Sequence, residues 1–268
     1  MAILITGSRG FVGSHLVEYL RSREHSLYSP SHRELDLTNY KEVDKYFGRT
    51  NDIDMVVHCA TSGPKKWENR PCDEVWEKKI EDDKEMLENL ITFSDSLIVL
   101  TSGSVDKYDI EPVARSKSEL SKMCENRENI LQLRPYGIYG PGEQRFRFPS
   151  YCFDSIYYNE PIYVLKNRWM SWIYVQDLCE IIEHFIEHWS KHPTIDVIMP
   201  RPITNVALAF KCLEVADSQV DVVEMGRGER YVGDDTALVK EMPWWVPTEW
   251  EEGLGELYDS LPMQSLRE

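Results

Sequence analysis

The 268-residue sequence contains no run of 18 apolar residues, and no basic segment followed by a long apolar core opens it. Neither a membrane span nor a secretory signal is therefore expected, and a cytoplasmic protein is. Paired cysteines are missing as well. Cys59, Cys72, Cys124, Cys152, Cys179 and Cys212 stand apart with no C-x-x-C spacing, which favours isolated buried thiols in a reducing compartment over a disulfide framework. Positive charge is scarce: 30 Lys and Arg face 46 Asp and Glu, giving a net charge of −16 and a pI near 4.9. Nonspecific binding to nucleic acid or to an anionic membrane is disfavoured, and an anionic ligand must meet a local basic pocket. No internal repeat or low-complexity linker divides the chain. With 42% hydrophobic residues, this length suits one large α/β domain with a smaller interleaved lobe.

What is present begins at the first residues. Ala2-Ile3-Leu4-Ile5 is an apolar run without a polar break, as in a strand buried on both faces, and Thr6-Gly7-Ser8-Arg9-Gly10-Phe11-Val12-Gly13 follows at once. The glycines fall at G-x-x-G-x-x-G. Gly7 permits a tight turn, Gly10 lets backbone approach a phosphate, and Gly13 lets the next helix lie close to the sheet. That helix, Phe11 to Arg21, carries Val12, Leu16, Val17 and Leu20 on one face, and its N-terminus would aim N–H groups at a pyrophosphate. Glycine-rich turns also occur without a ligand, but the strand before and the amphipathic helix after supply the context of a dinucleotide site.

Ser26-Leu27-Tyr28 reads as a second strand, ending where an NAD-specific site usually presents an acid to the ribose. Ser29-Pro30-Ser31-His32-Arg33 stands there instead. With Arg9 and Arg33 near and no acid to repel a 2′-phosphate, NADP(H) is favoured over NAD(H); otherwise both arginines are solvated surface charges. Leu35-Asp36-Leu37-Thr38 leads into a helix with Val43, Tyr46 and Phe47, where Asp36 either accepts from an adenine amino group or caps the helix with Thr38. Met55 to Ala60 is the next buried strand, and Thr61, Ser62 and Gly63 after it would let a cofactor cross close to backbone. His58 reads as a core residue rather than a base. A charged helix over 71–93 offers Ile80, Met86, Leu87, Leu90 and Ile91 to the sheet, and its Glu81-Asp82-Asp83 cluster is expected to be a solvated face. Leu97 to Leu100 is a fourth strand, closed by Thr101-Ser102-Gly103-Ser104, and Ile130 to Leu133 a further one, ending in a Gly- and Pro-rich loop, Arg134 to Gly142. Strand alternating with helix implies a Rossmann-type, doubly wound parallel sheet. Residues 1–143 with 169–200 are assigned to the dinucleotide-binding domain. Residues 144–168 with 201–268, which mix aromatics, arginine and proline, are assigned to a smaller substrate lobe.

In their order these motifs resemble the extended short-chain dehydrogenase/reductase family of nucleotide-sugar epimerases, dehydratases and 4-keto reductases. The likeness covers nearly the whole chain: Thr6-Gly7 to Gly13, Asp36-Leu37-Thr38, His58-Cys59-Ala60, Thr101-Ser102, Lys117, Arg134-Pro135 with Tyr139-Gly140-Pro141-Gly142, Trp172 to Leu178, and Pro247-Thr248 to Glu252-Gly253-Leu254. Arg9 and Arg33-Glu34-Leu35-Asp36 are most similar to the 4-keto sugar reductases. The resemblance implies NADPH, with NAD the lesser choice, a nucleotide-diphosphate sugar as substrate, and a homodimer paired through helices over 71–93 and 116–127. Coenzyme contacts would come from Gly7, Arg9, Gly10, Phe11, Val12, Gly13, Arg33, Asp36, Leu37, Cys59, Ala60, Thr61, Lys117 and Pro135.

The family's chemistry uses a Tyr-x-x-x-Lys pair and a Ser or Thr ending the fourth strand, the tyrosine moving a proton at the substrate oxygen as hydride moves at carbon. Lys117 and Ser102 fit, but Val113 occupies the tyrosine position, and an isopropyl group has no proton to give. Three readings follow. Another group supplies the proton, Tyr108 first, with Tyr136, Tyr139, Ser104 or a water on Ser102 and Lys117 as others; or the protein is a non-catalytic regulatory or scaffold subunit; or it is a dehydratase that needs no tyrosine. The first is preferred, as a 4-keto reductase or epimerase. By the same resemblance Ser102, Ser104 and Gly137 would meet substrate, Gly137 standing where an Asn is frequent. Arg227, in Met225-Gly226-Arg227-Gly228-Glu229, would hold the diphosphate. Asp177 would cap a helix. His184-Phe185-Ile186-Glu187-His188 has the H-x-x-E-H spacing of some zinc peptidases, but its helix carries the core stripe Ile181, Ile182, Phe185 and Ile186, so no metal is expected. Trp244, Trp245 and Trp250 are read as packing of the small lobe.

Overall fold

Segments that are apolar at consecutive positions can bury both faces only in the middle of a parallel sheet, and the apolar runs of the sequence do so in the computed structural model, which describes residues 1–62, 73–106 and 112–262. In chain order the elements are β1 (Ala2–Thr6), α1 (Phe11–Ser22), β2 (Ser26–Tyr28), α2 (Tyr40–Arg49), β3 (Ile53–His58), α3 (Asp73–Phe93), β4 (Leu97–Leu100), a 3-10 turn (Gly103–Asp106), α4 (Pro112–Cys124) and β5 (Ile130–Pro135). They continue with β6 (Gly137–Tyr139), α5 (Phe148–Tyr157), β7 (Ile162–Val164), β8 (Trp169–Met170), β9 (Trp172–Tyr174), α6 (Val175–Glu187) and β10 (Thr194–Val197). The last are β11 (Ile203–Thr204), α7 (Asn205–Val215), β12 (Val222–Glu224), α8 (Thr236–Glu241) and α9 (Trp250–Ser260). Two compact units result, Met1–Pro135 with Cys179–Asp196, and Tyr136–Leu178 with Val197–Glu268. No helix among the described residues is long and apolar enough to cross a membrane.

The first unit is built on a six-stranded sheet in the order β10-β5-β4-β3-β1-β2, with β2, β1, β3, β4 and β5 paired in parallel. Leu4 lies opposite Tyr28 on one side and Val56 on the other, and Leu97 opposite Val56 and Ile130. Helices α2, α3 and α4 add Val43, Leu87, Leu90 and Leu120 to a core shared with Leu4, Val56, Leu97 and Val99. Each such side chain contributes about 1.5–3 kcal/mol on burial. The chain leaves β1 for β2 on one side and then crosses to β3 on the other. This reversal makes the carboxyl ends of β1 and β3 the switch point, where open α/β sheets bind ligands.

Among its described residues the second unit pairs β6 with β9 and β7 with β12 in parallel and β8 with β11 antiparallel. Its centre is aromatic. Tyr139 stacks on Trp250 at 5.1 Å between ring centroids and meets the Trp172 edge at 6.4 Å. Trp245 and Trp250 are buried as expected of packing residues, whereas Trp244 is exposed.

Two expectations are corrected. Asp83 is not on a solvated face but 1% exposed, because it falls on the buried stripe Trp76, Ile80, Leu87 and Leu90 of α3. The cap of α2 is Asn39, whose side chain accepts from the Lys41 N–H, while Asp36 takes the Thr38 N–H and hydroxyl instead. Asp177 stands in the first turn of α6, and its carboxylate also accepts from the Thr248 N–H at 3.0 Å and hydroxyl at 2.6 Å.

Candidate functional site

The glycine turn forms because the chain has no room for side chains there. Gly7 takes φ +67°, and a Cβ on it would lie 2.6 Å from the Ala60 nitrogen; one on Gly13 would lie 2.2 Å from the Gly7 carbonyl oxygen. The Gly10 N–H closes the turn on that oxygen at 2.8 Å. Gly10 is also the N-cap of α1, so no side chain caps the helix, and no acid stands in its first turn. The positive end of α1 is thereby left for an anion.

Beside it opens a cavity of about 680 Å³, within the range of small-molecule sites and lined wholly by the first unit. Gly7, Arg9 and Gly10 wall it from the turn, Ser31, His32, Asp36 and Leu37 from beyond β2, Cys59, Ala60, Thr61 and Ser62 from the end of β3, and Lys78, Asp82 and Met86 from α3. Ser8 Oγ donates to the carbonyls of Ser29 and Pro30, which ties the turn to the end of β2. Of the expected coenzyme residues, Arg33 is exposed and outside this lining, Phe11, Val12 and Gly13 form the start of α1, and Pro135 is buried at the end of β5. An acid does stand near the end of β2. Glu34 accepts from both the N–H and the hydroxyl of Ser31 at 2.7 Å, bonds that hold its carboxyl below the usual range, with Arg9 assisting.

A second group of polar residues gathers around the ends of β3 and β4. His58 Nδ1 pairs with Thr6 Oγ1 at 2.8 Å, and burial pushes its pKa down to about 4, the charge of Lys117 adding to this. It is neutral at pH 7 and enclosed, as a core histidine. Lys117 Nζ donates to the Leu100 carbonyl at 3.1 Å; burial pulls its pKa down while Asp83 opposes that shift. Ser102 Oγ accepts from Ser104, from its N–H at 3.2 Å and its hydroxyl at 3.0 Å. Burial pushes the Cys59 thiol up to about 12, so it is inert.

Asp83 was missed as a polar centre. It accepts from the Ser62 N–H at 2.7 Å and the Ser116 hydroxyl at 2.5 Å and pairs with Lys79, whose Nζ also donates to Thr61 Oγ1 at 2.9 Å. The signal was available: a carboxylate at an inward position of an apolar helical stripe, four residues after a lysine.

Tyr108 lies outside the described residues, as does the Val113 side chain. Tyr139 is 0% exposed with burial raising its pKa, so it is withdrawn as a proton donor; Tyr136 packs its ring against Tyr231 at 4.8 Å. In the second unit, the Gly137 backbone presses on Trp172, where a Cβ would approach the indole to 2.4 Å, and Arg227 projects outward, 92% exposed and 3.9 Å from Glu224. His25, Glu183 and Glu187 come together at one edge of the first unit. Glu183 there already takes Tyr19 Oη, His25 Nε2 and Arg23. His184 and His188 stack on each other at 4.8 Å.

Residues 3–198 match the model of the NAD dependent epimerase/dehydratase family. The chain is 20% identical to GDP-L-fucose synthase of Sinorhizobium fredii over 96% of this chain and 94% of that protein. Among solved structures it superposes on a Campylobacter jejuni GDP-mannoheptose C4 reductase with NADP bound at a TM-score of 0.80, with 16% identity, covering 96% of this chain and 97% of that one. A Bacillus anthracis dTDP-4-dehydrorhamnose reductase in complex with NADP gives 0.79, with 20% identity, 97% of this chain and 98% of that one. At these identities the structural likeness carries the fold alone.

Proposed function

The chain belongs to the NAD dependent epimerase/dehydratase family, and from that premise we propose an NADP(H)-dependent oxidoreductase acting on a nucleotide-diphosphate sugar, as a 4-keto reductase or epimerase whose proton donor is not the usual tyrosine. The observation that carries this reading is the uncapped N-terminus of α1 on a glycine cradle that any Cβ would fill, opening into a cavity walled by Arg9. The first-turn N–H groups of α1 would hold the pyrophosphate, Arg9 the 2′-phosphate, Asp36 and Leu37 the adenine side, and Lys117 the nicotinamide ribose. Bound there, NADPH supplies a hydride to a sugar carbonyl carbon.

The residues of the chain orient the substrate oxygen and move its proton. Ser104 donates its hydroxyl hydrogen to Ser102 Oγ, so the Ser102 hydrogen is left to point at a substrate oxygen, and the pair forms a short path for a proton. Tyr108 is the alternative source. Loss of turnover in Tyr108→Phe with activity kept in Ser104→Ala would assign the proton to the tyrosine, and the converse to the serine pair. Arg227, exposed and 3.9 Å from Glu224, is proposed for the diphosphate, and a homodimer by likeness to the family. The names of the similar proteins, reductases and a synthase of sugar nucleotides, support the substrate class.

Val113 favours a second reading, a coenzyme-binding subunit without turnover. Following NADPH absorbance as the pure protein meets a panel of 4-keto sugar nucleotides separates the two. Consumption of NADPH with one substrate supports the enzyme, and tight NADPH binding with none consumed supports the subunit.

A further inference from the structure

Thr61 and Ser62 wall the coenzyme cavity, and α4 carries Lys117; both are fastened to α3 at one point. Asp83 receives the Ser62 N–H at 2.7 Å and the Ser116 hydroxyl at 2.5 Å, and Lys79 pairs with it. The Lys79 ammonium also donates to Thr61 Oγ1 at 2.9 Å, and the Lys79 carbonyl accepts the Ser62 hydroxyl at 3.0 Å. We propose that the buried Lys79–Asp83 pair is a positioning element of the coenzyme site, fastening the Thr61–Ser62 wall and the helix that carries Lys117 to one carboxylate. The inference rests on the coenzyme reading above.

Packing does not call for these charges. Lys79 is 7% and Asp83 1% exposed, and taking two such ions from water costs more than an apolar pair of similar volume would. Trp76, Ile80, Leu87 and Leu90 already form the buried stripe on which Asp83 falls, and a leucine there would complete it. What a leucine could not do is hold two other segments by directed bonds. Ser116 adjoins Lys117, so its bond to Asp83 fixes the rotation of α4 that brings Lys117 Nζ to the Leu100 carbonyl, two residues before Ser102.

Charge acts in the same sense. The groups that face Lys117 are Asp83 and Lys79 from α3, His58 and Cys59 from the end of β3, and Cys124 from its own helix. Asp83 is the carboxylate among them, so it favours the charged form of Lys117 beside a second buried cation.

The test is calorimetric titration of NADPH into the parent chain, Asp83→Asn, Ser116→Ala and their double variant, from pH 6 to pH 9, with thermal melts of each. Each single substitution is expected to weaken NADPH about tenfold, as one hydrogen bond to a charged group would. The double variant should be no weaker than the poorer single, since both cut one path. Asp83→Asn, and not Ser116→Ala, should also move the pH at which binding fades downward, because Lys117 loses the anion facing it. Variants that melt lower yet bind NADPH within twofold of the parent at every pH would make the pair a packing feature and overturn the proposal, as would independent, additive losses. Should Asp83→Asn not fold, Ser116→Ala with Thr61→Val carries the same comparison. Failure of the parent itself to bind any dinucleotide would instead defeat the coenzyme reading, and that is seen before any variant is made.

Discussion

Replacing Gly13 by alanine isolates the contact on which the glycine turn depends. A Cβ at this position would lie 2.2 Å from the Gly7 carbonyl oxygen, 2.7 Å from its carbon and 3.1 Å from the Ser8 Cα, all of them backbone. No rotamer change relieves such an overlap, so the turn and α1 must separate by at least about 1.2 Å to reach ordinary van der Waals distance. Overpacking of this kind costs about 1–3 kcal/mol. A backbone overlap this close lies at the upper end of that range, and alanine returns up to about 1 kcal/mol as the better helix former, so the net loss is about 2 kcal/mol. The melting temperature should fall by several degrees, at about 2–4 °C per kcal/mol for a chain of this size. Gly48 is the control, since a Cβ there meets nothing within 4 Å. In α2, Gly48→Ala should therefore raise the melting temperature, by about 0.5–1 kcal/mol of added stability. Circular dichroism melts of both variants, with NADPH titrations alongside, give the comparison. Gly13→Ala melting at or above the parent, or both variants moving the same way, would refute the reasoning.

Two buried ionisable groups tilt stability with pH in opposite directions. Glu143 has its pKa raised from 4.5 to about 7 by burial, so the folded state keeps a proton that the unfolded chain gives up. Its contribution is greatest below pH 4.5 and is lost as pH rises toward 7, by roughly 3 kcal/mol, and Glu143→Gln should flatten that slope in denaturant titrations. His58, lowered from 6.5 to about 4, contributes stability that is present above pH 6.5 and lost as pH falls toward 4; His58→Asn should remove the acid-side loss. Asp177→Ala deletes two bonds to Thr248 and should cost about 1.5–3 kcal/mol in urea unfolding, whereas an unchanged midpoint would show that the segment is held by other contacts.

Much of the fold was legible because the first unit is built from contrasts that a sequence displays plainly. Ala2 to Ile5 and Leu97 to Leu100 are apolar without interruption, and such runs have few places to go but the middle of a sheet. The cradle was legible for a different reason, since Gly7 and Gly13 are required by backbone contacts that no other residue tolerates. Asp83 was hidden because a local cluster of acids looks solvated, and only its helical phase against Trp76, Ile80 and Leu87 shows that it turns inward. The tie from Asp177 to Thr248 was hidden because the two lie 71 residues apart, beyond any local pattern. Glu34 and Ser31 form a turn whose bonds become visible only in three dimensions.

Calorimetric titration of NADPH and NADH into the purified chain bears most directly on the central claim. Saturable binding of one NADPH per chain, tighter than NADH and abolished in Gly13→Ala, is the expected result. Heat of mixing alone, with neither dinucleotide bound by a chain that melts cooperatively, would contradict it.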